Sequence, residues 1–130
     1  MPLLRNESLT FRNSIGSLSM ELYHNPKCSK SRASLALLRE RGIEPVLRDY
    51  LNDALSVSEL IDVAAKLGVD ASYLVRHKDL GKYEKSLKGL SDSGIFKLLS
   101  KTPQLLVRPI AIKGSKAKIG IPPEDVLELL

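Results

Sequence analysis

Cysteine occurs once in these 130 residues, tryptophan not at all, and phenylalanine and tyrosine together make up only 5%. A single cysteine excludes an internal disulfide and every zinc site built on several thiolates. It suits a reducing compartment, so the sequence predicts a cytoplasmic protein. His77 has no metal-ligand companions at useful spacing, and no bound metal or cofactor is expected. No apolar run approaches the length that crosses a bilayer, so no membrane partner is expected. The net charge of +5 favours anionic ligands. The lysines and arginines are spread along the chain, however, and base-stacking aromatics are scarce, which argues against nucleic acid. With 43% apolar residues, a chain of this length buries one core and has no room for a second domain.

What the sequence does have is a concentrated polar loop around its one thiol. Cys28 lies in Tyr23-His24-Asn25-Pro26-Lys27-Cys28-Ser29-Lys30-Ser31-Arg32, where a short strand hands over to a helix. A thiol at a helix N-terminus faces unpaired N–H groups and the positive end of the helix dipole, which favour thiolate over thiol. Lys27, Lys30, Arg32 and His24 add positive charge on the same side. A lone cysteine is commonly a small buried hydrophobe, but such neighbours line an apolar core badly and a thiolate or an oxyanion well.

The remainder reads as alternating elements. Residues 1–19 mix arginine, glutamate and serine without a period and are expected to be a disordered extension. The domain then runs 20–130, opening on the strand Met20-Glu21-Leu22-Tyr23. Leu35, Leu37 and Leu38 mark a helix over 31–41 ended by Gly42, and Pro45 to Tyr50 reads as a strand, giving a parallel βαβ unit. Ser56 and Glu59 have capping-box spacing ahead of Leu60, Val63, Ala64 and Leu67, with Gly68 as the stop. The lysine-rich stretch 71–102 predicts two or three short helices broken by Gly81, Gly89 and Gly94. They belong to a helical insertion beside the sheet spanning about 52–104. Ile110 to Lys113 and Lys116 to Ile119 flank a Gly114-Ser115 turn as a hairpin, and Pro122-Pro123 opens a last helix, 124–130.

A βαβ unit, a hairpin entered through a proline and a closing helix, with the thiol in the first strand-to-helix loop, is the thioredoxin-like α/β plan with a mixed sheet. The thiol loop, Leu74-Val75-Arg76, the run from Pro103 to Ile110, and Ile119-Gly120-Ile121-Pro122-Pro123-Glu124 together resemble the glutaredoxin-coupled arsenate reductase family over essentially all of 20–130. The resemblance implies that Cys28 is the nucleophile that reduces arsenate to arsenite. It also implies that Arg76 and Arg108 bind the oxyanion and that His24 helps keep the thiol ionised. Asn25, Ser31, Arg32 and Pro109 would support the site, with Pro109 cis and facing the thiol loop. Arsenate is a tetrahedral anion, so its site must offer fixed cations and N–H donors while a thiolate approaches. Arg32 also has a plain reading as a surface ion-pair partner, and Arg76 as a solvated arginine.

Two departures bear on activity. The family usually carries a third arginine before the proline that opens the last helix, where this chain has Ile121; Lys116 or Lys118 is a partial substitute. Ser31 stands where a C-x-x-C pair would place its resolving thiol, so turnover needs an external thiol, with glutathione as reductant and glutaredoxin as partner. The alternatives are a glutathione-dependent thiol reductase of another substrate, an Spx-type regulator that binds RNA polymerase, against which Ser31 counts, and an idle binding protein that keeps the fold.

Overall fold

The computed structural model describes residues 19–130, so the expected extension 1–19 lies almost wholly outside the described residues. The first strand of the described residues is β1 (Met20–Tyr23), the strand that the sequence predicts. Helix α1 (Ser29–Glu40) follows, then β2 (Val46–Arg48), α2 (Val57–Leu67), α3 (Glu84–Leu87), α4 (Asp92–Lys101) and the hairpin β3 (Ile110–Lys113) and β4 (Lys116–Ile119). Short 3-10 turns join these elements. The four strands form one mixed sheet in the order β2-β1-β3-β4. β1 runs parallel to β2 and antiparallel to β3, and β4 closes the hairpin.

Strand alternation divides the core into two layers. Met20, Leu22 and Ala111 face Leu35 and Leu38 of α1 and Val126 of the C-terminal segment. Tyr23, Ile110, Ile112 and Ala117 face Leu60 and Val63 of α2 and Ile95 and Leu99 of α4. Leu22 and Leu38 are wholly buried, and each such side chain contributes about 1.5–3 kcal/mol. The helical segment expected beside the sheet therefore covers one of its faces.

Local signals explain most element ends. Ser56 accepts from the Glu59 amide and Glu59 returns the bond, a complete capping box, and Gly68 closes α2 with φ 72. Gly81 and Gly89 have positive φ, at 46 and 80, and mark breaks. Gly94 does not: it lies inside α4, where Ser91 caps its amide. A β-carbon there would come within 3.1 Å of the Leu90 side chain, so this glycine serves packing rather than interruption. The last element is also not the α-helix expected over 124–130. Pro123–Leu129 forms 3-10 turns, closed by i→i+3 bonds such as Asp125 N–H to the Pro122 carbonyl. Seven residues entered through two prolines are too few to gain from helix propagation, while Val126 is held in the core.

Candidate functional site

The thiol loop is the continuation of β1. The His24 N–H donates to the Arg48 carbonyl at 2.9 Å, which extends the parallel pairing one step before the chain turns. Asn25 then organises the loop, and it is itself buried. Its amide donates to Ser31 Oγ at 3.3 Å and its Oδ1 accepts from the Lys27 amide at 3.0 Å. Its carbonyl accepts from the Cys28 N–H at 2.9 Å. Arg32, read also as a surface ion-pair partner, instead donates from its Nη1 to the Pro26 carbonyl at 3.0 Å and braces the loop.

Cys28 occupies the N-cap position of α1 with extended backbone, φ −93 and ψ 125. The thiol closes no hydrogen bond of capping geometry, yet its surroundings favour the ionised form. Partial burial pushes its pKa up, but the amides of Ser31 and Lys30 and the side chains of Arg108 and Ser31 together outweigh this, and the net shift is downward. The thiol is half-buried, not sealed in the core.

A second wall comes from distant sequence. Val75 and Leu106 form an isolated antiparallel bridge, with the Arg76 N–H donating to the Leu105 carbonyl at 2.7 Å and the Val107 N–H to the Leu74 carbonyl at 2.8 Å. This bridge ties the segment carrying Arg76 to the one carrying Arg108. The Arg108 guanidinium folds back along its own chain, its Nη1 donating to the Gln104 carbonyl at 3.1 Å, and reaches the sulfur. The Arg108–Pro109 peptide is cis. Behind it, the Gly120 N–H donates to the Pro109 carbonyl at 2.9 Å, an approach that only glycine permits. A β-carbon on Gly120 would lie 2.5 Å from Ser34 Oγ and 2.7 Å from Pro109 Cγ.

Cys28, Ser31, Asn25, Arg108 and Pro109 thus come together where β1 ends and β3 begins, and the Val75–Leu106 bridge ties the Arg76 segment to the Arg108 segment. The structure bears on three sequence expectations. His24 supplies no charge: burial lowers its pKa, with Arg39 and Arg32 adding to the effect against Asp49, so near neutral pH it is an uncharged imidazole. Lys118, the partial substitute for a third arginine, has its Nζ paired with Glu128 at 2.8 Å, both side chains exposed. Lys116 sits at the turn end of the hairpin, paired with Lys113, while Pro109 adjoins the other end. Ile121 itself is 46% exposed.

Sequence reasoning passed over two residues. Gly120 is one. Tyr50 is the other, fully buried with its hydroxyl inside the fold. Burial drives its pKa up to about 12, and the groups it feels include Arg108, Cys28, Asn25 and Arg76. Register was the available signal: with Tyr23 opposite Arg48, two further residues bring Asn25 and Tyr50 alongside each other at the same sheet edge. Among the described residues no cluster of His, Cys, Asp and Glu could hold a metal ion. No described helix is long and apolar enough to cross a membrane.

Comparison with known proteins gives a consistent result. The ArsC family model matches residues 23–129. The arsenate reductase of Haemophilus influenzae is 48% identical over 118 residues, covering 87% of this chain and 100% of that protein. The uncharacterized protein YfgD of Escherichia coli is 40% identical over 114 residues, covering 85% of this chain and 96% of its own. Among solved structures, the arsenate reductase from Vibrio cholerae superposes with a TM-score of 0.83 at 41% identity, covering 88% of this chain and 99% of that one. The match spans the thiol loop, both arginine segments and the hairpin, and the fold is the thioredoxin-like α/β fold of those structures: the chain belongs to the ArsC family.

Proposed function

We propose that this protein is an arsenate reductase that uses Cys28 as its only nucleophile and depends on external thiols. The observation that carries this reading is the Cys28 sulfur at the α1 N-terminus, with the Lys30 and Ser31 amides and the Arg108 guanidinium turned to it. The names of the relatives support the same reading. In the first step the Cys28 thiolate attacks arsenic(V), an arsenic–sulfur bond forms and an arsenate oxygen leaves as water after protonation. Arg108 and Arg76 offset the repulsion between thiolate and oxyanion. A glutathione thiolate then attacks the Cys28 sulfur, and the arsenic–sulfur bond breaks with its electron pair going to arsenic, which departs as arsenite. The mixed disulfide left at Cys28 is opened by a glutaredoxin thiolate attacking the glutathione sulfur, and Cys28 returns as thiolate. Ser31, wholly buried and hydrogen-bonded to Asn25, takes the place a resolving cysteine would need, so the chain cannot close its own disulfide. A cytoplasmic setting, where glutathione keeps thiols reduced, fits this cycle.

One observation favours a second reading, a glutathione-dependent thiol reductase of another substrate. Ile121 offers no cation, and the neighbouring Lys118 is already paired. The test is arsenate-dependent NADPH oxidation coupled through glutathione, glutathione reductase and glutaredoxin, run alongside protection of Cys28 from iodoacetamide by arsenate. Turnover that vanishes in Cys28→Ser, and protection that vanishes in Arg108→Ala, are expected. Ile121→Arg should strengthen protection about tenfold to a hundredfold through one added charge-assisted contact. Protection equally weak in wild type, Arg108→Ala and Ile121→Arg would shift the assignment to the second reading.

A further inference from the structure

We propose that the exposed row Lys78, Lys82, Lys85 and Lys88 is the surface on which the protein thiol donor docks, recognising a glutaredoxin by acidic groups around its thiol. The inference rests on the reading of Cys28 as a nucleophile regenerated by external thiols and adds the partner's footprint to it. Charge is concentrated in this segment: the thirteen residues from Arg76 to Lys88 hold five lysine or arginine residues against two carboxylates, a net +3 of the chain's +5. The segment runs as successive turns, His77–Asp79, Gly81–Tyr83 and Glu84–Leu87. Leu80 is buried in the core, and Tyr83 and Leu87 pack against it. All four lysines, spaced four, three and three residues apart, are exposed. Among the described residues none of the four is in an ion pair, and Lys82 lies over the Tyr83 ring at 5.3 Å. Like charges at this spacing work against a helical segment. The row therefore lowers stability, and packing gives no reason for it.

The row starts at the thiol end of the sheet. Tyr23 is registered opposite Ile110, so the loop that leaves β1 with Cys28 and the approach to β3 with Arg108 lie at the same end. The Arg76 N–H donates to the Leu105 carbonyl at 2.7 Å, and the His77–Asp79 turn packs against the Pro103–Leu105 turn. Lys78 thus stands two residues beyond an arginine that is fastened to that approach. A protein thiolate that opens a mixed disulfide at Cys28 must come to this end. It attacks the glutathione sulfur, the bond to the Cys28 sulfur breaks, and the electron pair leaves on Cys28 as thiolate. The two protein surfaces then meet around the disulfide, and acidic groups beside the incoming thiolate find lysines there. Lysine suits a transient encounter, because a point charge on a flexible stem attracts an acidic surface without demanding one geometry. Such a field raises the encounter rate and leaves the partners free to separate. The row fits nucleic acid less well, since its one aromatic, Tyr83, is packed against the core and offers no stacking platform.

The full chain carrying glutathione disulfide-bonded at Cys28, prepared with oxidised glutathione, tests this without arsenate. Its second-order reduction by an acidic glutaredoxin should slow steeply as salt is raised. Lys82→Glu combined with Lys85→Glu should lower the low-salt rate about tenfold and converge with wild type at high salt, and the pair Lys82→Gln and Lys85→Gln should fall between them. Reduction by dithiothreitol, an uncharged small thiol, should be the same in all three proteins, as should the melting temperature to within a degree or so, because the lysines are exposed. A glutaredoxin rate that ignores salt, or that the substitutions leave unchanged, would overturn the proposal. An equal loss with dithiothreitol would overturn it too, by placing the lysines in the thiol chemistry instead of the docking. Duplex DNA bound by wild type and released by the Lys→Glu pair, with the glutaredoxin rate unaltered, would overturn it in favour of nucleic acid. A salt-dependent glutaredoxin rate in a protein that shows no arsenate turnover would refute the arsenate reading and leave the docking surface standing. A mixed disulfide that glutaredoxin does not open would refute the external-thiol cycle and the surface with it.

Discussion

Gly120→Ala should damage stability and anion binding together, because one close contact supports both. The new β-carbon would lie 2.5 Å from Ser34 Oγ, 2.7 Å from Pro109 Cγ and 3.2 Å from Pro109 Cδ, well inside the ~3.5–4.0 Å separation at which carbon contacts are favourable. Ser34 could rotate away, but it would give up its 3.3 Å bond to the Pro123 carbonyl, which fastens α1 to the C-terminal turns. The Pro109 ring has no such escape. It is buried, its carbonyl receives the Gly120 amide, and Ile110 immediately after it is paired on both sides in the sheet. Overpacking of this kind costs about 1–3 kcal/mol. At roughly 4 °C per kcal/mol for a domain near this size, the melting temperature should fall by about 4–12 °C. Arg108 precedes the displaced proline, so arsenate protection of Cys28 should weaken in the same variant. Adding Ser34→Ala removes the shorter of the two clashes and should recover part of the lost stability, a coupling that a double-mutant cycle measures directly. A melting temperature within a degree of wild type for Gly120→Ala would refute the claim that the Gly120–Pro109 contact holds the arginine in place.

Two further outcomes follow from the electrostatics. The rate of Cys28 alkylation by iodoacetamide plotted against pH should have a midpoint below the ordinary thiol value, and Arg108→Ala should move that midpoint upward, since the guanidinium is one of the groups that lower it; a wild-type midpoint at or above the free-thiol value would leave the cysteine as a plain half-buried side chain. Arg48 bonds Glu59 at 2.7 Å and ties β2 to the α2 capping box, and that partner, followed by the Ser56 amide, takes the Glu59 pKa down to about 2. A depressed carboxylate stabilises the fold above its unfolded pKa of about 4.3 and loses that contribution as pH falls towards 2. Because the Glu59 side chain is 40% exposed, solvent screening leaves about 1 kcal/mol of it. Glu59→Gln should therefore lower urea stability at pH 7 by about that amount, with the gap closing between pH 4.5 and 2; a gap independent of pH would assign the loss to the capping geometry instead.

Much of the fold was legible because its signals are local. The Ser56-to-Glu59 capping box, the Gly68 stop and the Gly114-Ser115 turn each act within a few residues, and each is where the sequence places it. Cys28 was legible for the same reason, since a helix N-terminus announces itself through its immediate neighbours. Gly94 misleads because its reason is a Leu90 contact within a capped helix, and a glycine read alone looks like a break. His24 misleads because charge state depends on burial, and burial comes from elements elsewhere in the chain. Gly120 and Tyr50 carried no local signal at all. Their importance lies in what distant residues bring within a few ångströms of them.

That division has a physical cause in how the site is assembled. A thiolate can be stabilised by one helix end, and one run of ten residues encodes it. A site that holds an anion against that thiolate needs donors from several directions, and no single segment can surround a ligand. The chain brings three segments together where β1 and β2 end and β3 begins: the loop with Cys28, the residues that follow β2, and the approach to β3 with Arg108. Arg76 is joined to the last of these through the Val75–Leu106 bridge. The two arginine segments depend on backbone bonds between residues some thirty positions apart, such as Arg76 to Leu105. Nucleophile and anion site should consequently be separable by mutation: changes at Gly120 or the bridge should weaken anion binding while the Lys30 and Ser31 amides continue to favour the Cys28 thiolate.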